Sequence, residues 1–251
     1  MTNQFTSGLE ALSALQATND GGNAPKNEFS PFKSGTSYLV KVVDKSAVQL
    51  AYGYGSFNDG IHSFVAKNPS KRNAKGYVES NPTPWDKASS YFKAKSEVYT
   101  DENGQLAYKY SGKPRFAMAF YCLNEGKFIV VDLTKNQAQA VAAVITKNEK
   151  KLDKKPFELE KIGTGTSTAV TLSPLDLDDL TEKQQVVFES APKDFDTSVF
   201  DGIWYEKDDE EQIADLRKTG IDPTVLGYST ATNDATSTEA PPVDDDGGLP
   251  F

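Results

Sequence analysis

Between Thr36 and Leu172 the apolar residues run mostly in short β-branched and aromatic stretches broken by turn residues. Ser37–Val43 and Ala47–Tyr54 read as strands, because Val, Leu and Tyr suit a pleated, half-buried surface. Asn58-Asp59-Gly60 is a hairpin signal, and Ile61–Ala66 is the returning strand. Lys67–Asn81 is polar and basic, lacks periodicity and reads as an excursion from the sheet. Arg115–Leu123, the turn Asn124–Gly126 and Lys127–Leu133 form the clearest hairpin of the chain. Phe157–Ile162 and Thr168–Leu172 are two further strands around Gly163–Gly165.

The helices announce themselves at their starts. Thr83-Pro84-Trp85-Asp86 offers an N-cap, a proline at the first helical position and an acid in the first turn. Trp85, Ala88 and Phe92 then share one face, and Lys87, Tyr91 and Lys95 form a second stripe at four-residue spacing. Thr134–Gln137 and Thr181–Gln184 are capping boxes, the first opening a helix with Ala138, Val141, Ala142 and Ile145 on one face. Another helix starts near Asp208 and stops at Gly220. Its acidic start, Asp208–Glu211, is explained by the helix dipole without a metal. Met1–Asn19 is a candidate helix with Phe5, Leu9, Leu12 and Ala11/Leu15 near one face: an arm that packs on a neighbouring subunit, or a frayed terminus. Asp20–Ser30 reads as a flexible connection.

The expected organisation is an arm and linker over residues 1–30, a core over 31–228 and a disordered acidic tail over 229–251. The expected fold class is mainly β with flanking helices (α+β), as a partly open OB-type barrel with a helical insertion.

The 251 residues carry 27 Lys and Arg against 36 Asp and Glu, a net charge of −9. That charge is unevenly spread: Met1–Lys161 holds 22 basic and 16 acidic residues, or +6, whereas Ile162–Phe251 stands at −15. A basic, aromatic-rich body joined to an acidic end suits a polyanion binder that carries its own polyanion mimic; a charged solvated surface with an acidic tail is the plainer reading. No run of about 18 apolar residues predicts a membrane span, and the start lacks the pattern of a secretory signal. The expected compartment is the cytoplasm, of a host cell if the protein is viral. A single cysteine, Cys122, excludes an internal disulfide and is expected to be a buried strand residue. The single histidine, His62, has no ligand partner at useful spacing. Gly53-Tyr-Gly55 and Gly163-Thr-Gly165 extend to no phosphate-binding fingerprint. No enzyme, cofactor or metal is expected.

The chemistry-bearing pattern is aromatics interleaved with cations. One cluster is Tyr52, Tyr54, Phe57, Lys67, Lys71, Arg72, Lys75 and Tyr77. A second is Lys87, Tyr91, Lys93, Lys95 and Tyr99. A third is Tyr108, Lys109, Tyr110, Lys113, Arg115, Phe116 and Tyr121. Single-stranded nucleic acid needs this pairing, since cations track phosphates while ring faces stack on unpaired bases of any identity. Lys113 and Arg115 are expected at phosphates, and Tyr110 or Tyr121 against a base, with the outward parity of the Arg115–Tyr121 strand left open.

The last 23 residues contain no Lys or Arg and close on Asp244-Asp245-Asp246-Gly-Gly-Leu249-Pro250-Phe251. This resembles the tip of bacterial and phage single-stranded DNA-binding proteins, in which aspartates meet basic pockets on partners and a terminal Phe enters an apolar slot. A linker of about 20 residues reaches roughly 25 Å, enough for the tip to compete with DNA in its own groove. The core, from Tyr38 to Phe200, resembles the T-even-type phage helix-destabilising proteins. The likeness lies in the order of its pieces: the first strand, the Asn58–Gly60 hairpin, the Pro84-Trp85 insertion, the Lys113–Tyr121 strand with its Glu125-Gly-Lys127 turn, and the Phe157–Thr168 strand-turn. That family holds zinc in the insertion, but Pro82–Lys95 has no Cys or His; its basic N-terminal cooperativity motif is also missing from Met1–Gln16.

The resemblance implies sequence-independent single-stranded DNA binding in phage replication, recombination and repair. Asp244–Asp246 and Leu249–Phe251 would engage polymerase, primase-helicase or recombinase, and the chain would self-associate along the strand. Two alternatives remain: an acidic adaptor or recombination mediator acting mainly through protein contacts, and a hydrolytic or nucleotidyl-transfer enzyme, which would need clustered carboxylates.

Overall fold

The alternating stretches assemble around one long strand. In the computed structural model, which describes residues 27–229, that strand is β6 (Lys113–Cys122). One of its edges pairs antiparallel with β7 (Lys127–Thr134), from Arg115↔Thr134 to Cys122↔Lys127. Its other edge changes partner. Lys113–Met118 pair with β2 (Val48–Ser56), whereas Tyr121 and Cys122 pair with β1 (Ser37–Lys41). The sheet therefore forks. One wing runs from β2 to β3 (Ile61–Ala66) and the short parallel β10 (Glu206–Lys207). The other runs from β1 to β8 (Phe157–Ile162) and β9 (Ala169–Pro174).

In the chain a long insertion lies between β3 and β6, the two strands that flank β2 in the sheet. It holds the two-stranded hairpin of β4 (Lys71–Arg72) and β5 (Val78–Ser80), then α1 (Pro84–Lys93) and α2 (Glu102–Tyr110). The excursion expected at Lys67–Asn81 is thus a small separate sheet. Three more helices follow among the described residues: α3 (Lys135–Lys147), α4 (Glu182–Ser190) and α5 (Asp209–Lys218). The fold class is mixed α+β.

The caps act as their sequences dictate. The Asp86 amide donates to Thr83 Oγ1 at 3.1 Å, the Thr181 amide to Gln184 Oε1 at 2.9 Å and the Glu211 amide to Asp208 Oδ1 at 3.0 Å. These bonds satisfy amides that the first helical turn leaves unpaired. Helix α3 lays Ala138, Val141 and Ile145 over Val131, Leu133, Val170 and Leu172, but Ala142 faces solvent and Val144 packs in its place. Trp85 and Ala88 of α1 and Tyr110 of α2 meet Tyr54, Phe64 and Leu216, so the insertion has its own core against β2, β3 and α5. Burying each large side chain of that cluster contributes about 1.5–3 kcal/mol. Cys122 is buried, as expected.

The expected flexible connection is corrected at its end. Asn27 donates to the carbonyls of Ser198 and Asp201, the Ser30 amide donates to Val130 O at 2.8 Å, and Phe29 packs edge-on against Trp204. An aromatic in a Gly- and Asn-rich segment provides the burial that anchors it. The candidate helix at Met1–Asn19 and the tail with Asp244–Asp246, Leu249, Pro250 and Phe251 lie outside the described residues. Among those described, no helix is long and apolar enough to cross a membrane.

Candidate nucleic-acid interface

Strand parity decides which aromatics meet. In β2, Leu50 and Tyr52 face one side of the sheet, and their cross-strand partners in β6 are Phe116 and Pro114. Side chains directly opposite in a ladder share a face, so these four form a largely apolar floor. Walls rise around it from the β4–β5 hairpin, from Ser89, Ser90 and Lys93 of α1, from Val98 and Tyr99 of the α1–α2 loop, and from Ala107 and Tyr108 of α2. The result is an open groove of about 1040 Å³.

Five aromatic rings line it: Tyr52, Tyr77, Tyr99, Tyr108 and Phe116. Tyr77, Tyr99 and Tyr108 are 62%, 65% and 54% exposed, so each offers ring surface to a ligand, with Lys113 Nζ covering one face of Tyr108 at 3.1 Å from the centroid. Tyr99 and Tyr108 meet edge-to-face at 5.8 Å, and Lys93 Nζ stands 5.8 Å from the Tyr77 ring. Lys75, Lys93 and Lys135 supply positive charge. The lining carboxylates are Glu97 and Asp86, and Asp86 is neutralised by Arg72. The lining thus favours an anion carrying flat apolar groups.

A buried polar cluster fixes the hairpin wall. Asp86 accepts from Tyr54 Oη at 2.9 Å, from Ser70 Oγ at 2.5 Å and from Arg72 at 2.6 and 2.8 Å. Arg72 also donates to Gly76 O at 3.0 Å and lies 4.1 Å over the Tyr52 ring. Gly76 has φ +87°, and a Cβ there would stand 2.9 Å from the Tyr52 hydroxyl, so glycine permits both the turn and the approach. Burial pushes the Tyr54 phenol up to about 12, with the Asp86 charge adding to it. Opposite, Asp101 caps α2 by accepting from the Gly104 amide at 2.6 Å.

Of the residues in the three aromatic–basic clusters, Tyr52, Arg72, Lys75, Tyr77, Lys93, Tyr99, Tyr108 and Phe116 converge on the groove. Several expectations need correction. Tyr54 and Tyr110 are core residues with no free face. Arg72 lines the groove, but its charge is committed to Asp86. Arg115 lies on the opposite sheet face, bonded to Asp132 across β7, because it is one residue out of phase with Phe116. Lys109 pairs with Asp59 at 2.6 Å. Lys113 does not line the groove: its ammonium donates to Tyr108 O and Ser111 Oγ, both at 2.5 Å, lies 3.1 Å from the Tyr108 ring centroid, and is pushed down to about 8 by burial.

Tyr121 sits at the far end of β6, donating to Gly126 O at 2.8 Å and packing on Phe128. Lys95 donates to Tyr91 Oη at 2.5 Å and Lys87 covers the Tyr228 ring, and none of Lys87, Tyr91 and Lys95 lines the groove. Phe57, at the β2–β3 turn, and Lys67 and Lys71 are exposed outside it. Leu50, Val98, Pro114 and Lys135 belong to the groove although no aromatic–basic pattern marks them; the pairing of Leu50 with Phe116 is the signal that places the first. No family model, curated protein or solved structure matches the chain.

Proposed function

We propose that the groove binds single-stranded DNA without sequence preference, and that the protein protects and presents such strands during phage replication, recombination and repair. The observation that carries this reading is the groove's lining: five aromatic rings, three of them widely exposed, beside three lysines and few carboxylates. Rings stack on bases through faces that every base possesses, and lysines follow phosphates, so affinity arises without base-edge recognition. The volume, about 1040 Å³, lies at the upper end of small-molecule pockets and the groove is open, which suits a segment of a polymer. Binding is stoichiometric and non-catalytic, and it draws the duplex towards melting by mass action.

Within this reading the forked sheet is a partly open OB-type barrel, remotely related to the T-even-type helix-destabilising proteins. The two-partner edge of β6 and the insertion between β3 and β6 support that relationship. The acidic segment around Asp244–Asp246, with Leu249, Pro250 and Phe251, recruits replication and recombination proteins when DNA occupies the groove.

The test is a titration of a labelled dT oligonucleotide and of a duplex of equal length at several salt concentrations. Tight single-strand binding that weakens with salt, and weaker duplex binding, are expected. No single-strand binding at low salt would reject the function and favour the protein adaptor.

A further inference from the structure

Beyond Tyr52, β2 continues as Gly53-Tyr54-Gly55. Tyr54 turns into the core, and the two glycines place no side chain on the opposite face, where the Arg115 stem lies against Gly53. A cavity of about 340 Å³ lies over that face. Trp204 walls it. Phe29 holds that ring edge-on at 4.9 Å, and its indole N–H donates to Gln49 Oε1 at 2.7 Å. Val65 and Ile203 also line the cavity, and Tyr205 borders it, 56% exposed.

The cavity is cationic. Lys109, Lys113 and Arg115 line it. Asp132, its one lining carboxylate, is bonded by Arg115, and Lys109 is paired with Asp59. Lys113 has no carboxylate partner among the described residues. Its ammonium instead rests on the Tyr108 carbonyl and the Ser111 hydroxyl. Ser111 lines both this cavity and the aromatic groove. Ser111–Lys113 is therefore the shared lip of two sites on opposite faces of one sheet.

We propose that the cavity is a second nucleotide subsite, which takes an unpaired base of the same strand against Trp204 after its backbone crosses the Ser111–Lys113 lip, with Lys113 at the phosphate. The inference rests on the groove being the single-strand site and extends the DNA track around the sheet edge. The cavity has the size of small-ligand sites and the mix of apolar wall and few polar groups that such sites show. An anion there would give Lys113 the counter-charge it lacks.

The test is photocrosslinking of the full chain to a dT oligonucleotide substituted throughout with 5-iodo-deoxyuridine, followed by peptide mapping. Crosslinks at Trp204 or Tyr205, as well as at Tyr77, Tyr99 or Tyr108, are expected. In the Ser63→Phe variant, which sets a ring into the cavity from a solvent-exposed position, the Trp204 and Tyr205 crosslinks should disappear. The groove crosslinks should stay, and oligonucleotide affinity should fall about tenfold, the worth of one stacked base. Crosslinks confined to the groove would overturn the second subsite and leave the groove reading intact. Trp204 crosslinks that persist in Ser63→Phe would place the base outside the cavity and also overturn it. No crosslink and no binding would overturn both.

Discussion

Replacing Asp86 by alanine should cost more than any exposed charge deletion in this chain. Arg72 and Asp86 side chains are only 10% and 4% exposed, so each has given up its hydration for the other. Removing the carboxylate leaves the Arg72 guanidinium buried without a counter-charge, and leaves the Tyr54 and Ser70 hydroxyls without their acceptor. Breaking a buried pair from one side costs about 3–5 kcal/mol, a large share of the 5–15 kcal/mol typical of a folded domain. At about 2–4 °C per kcal/mol for a domain of this size, the melting temperature should fall roughly 6–20 °C. The additional change Arg72→Met removes the orphan charge, so the double variant should be more stable than Asp86→Ala alone. Urea unfolding followed by circular dichroism and tryptophan fluorescence measures both. A loss below about 1 kcal/mol, the range of surface pairs, or a double variant no better than the single, would refute the buried-cluster reasoning.

Three further outcomes are expected. Lys93→Ala should reduce the magnitude of the log affinity against log salt slope for dT oligonucleotides by about 0.7, one single-strand phosphate contact; an unchanged slope removes Lys93 from the track. Lys113, held near 8 against the ordinary 10.5, is charged in both folded and unfolded chains below pH 8. From pH 8 to 10.5 the unfolded chain binds more protons, so the cost of burying the charge is relieved and stability rises. Over the same window oligonucleotide affinity should fall as the ammonium is lost, and Lys113→Arg should abolish that fall; a wild-type affinity independent of pH from 7 to 9.5 would contradict the assignment. Gly104→Ala sets a Cβ 2.5 Å from Tyr99 O and 2.7 Å from Val98 O. It should lower stability by about 1–3 kcal/mol, where an unhindered helix would gain about 1 kcal/mol; a raised urea midpoint would show that the loop yields.

Local chemistry was legible in the sequence, and long-range pairing was not. Thr83, Thr181 and Asp208 mark helix starts because a cap depends on residues three positions apart. The β6–β7 hairpin is readable from two apolar runs around Asn124–Gly126. Helix α2 escapes such reading: it is nine residues long and contains Gly104, whose presence is explained only by the loop carbonyls packed against it. Aromatic–basic composition points to the right stretch for the site but not to the right members. Tyr52 and Tyr54 differ in neither type nor parity, yet the first lines the groove and the second fills a core that only the folded insertion creates. Arg72, Lys109 and Arg115 are cations in the sequence and committed ion pairs in the fold, because Asp86, Asp59 and Asp132 reach them from 14, 50 and 17 residues away.

The most direct measurement is the affinity of a Tyr77→Ala/Tyr99→Ala/Tyr108→Ala variant for a dT oligonucleotide, against wild type at one fixed low salt, with urea midpoints alongside. All three rings are exposed, so the substitutions should leave stability nearly unchanged. Each stacked base is worth about 1–3 kcal/mol, so affinity should fall at least about a hundredfold while the salt slope persists. Affinity within twofold of wild type, at an unchanged urea midpoint, would contradict the assignment of the groove as the single-strand site.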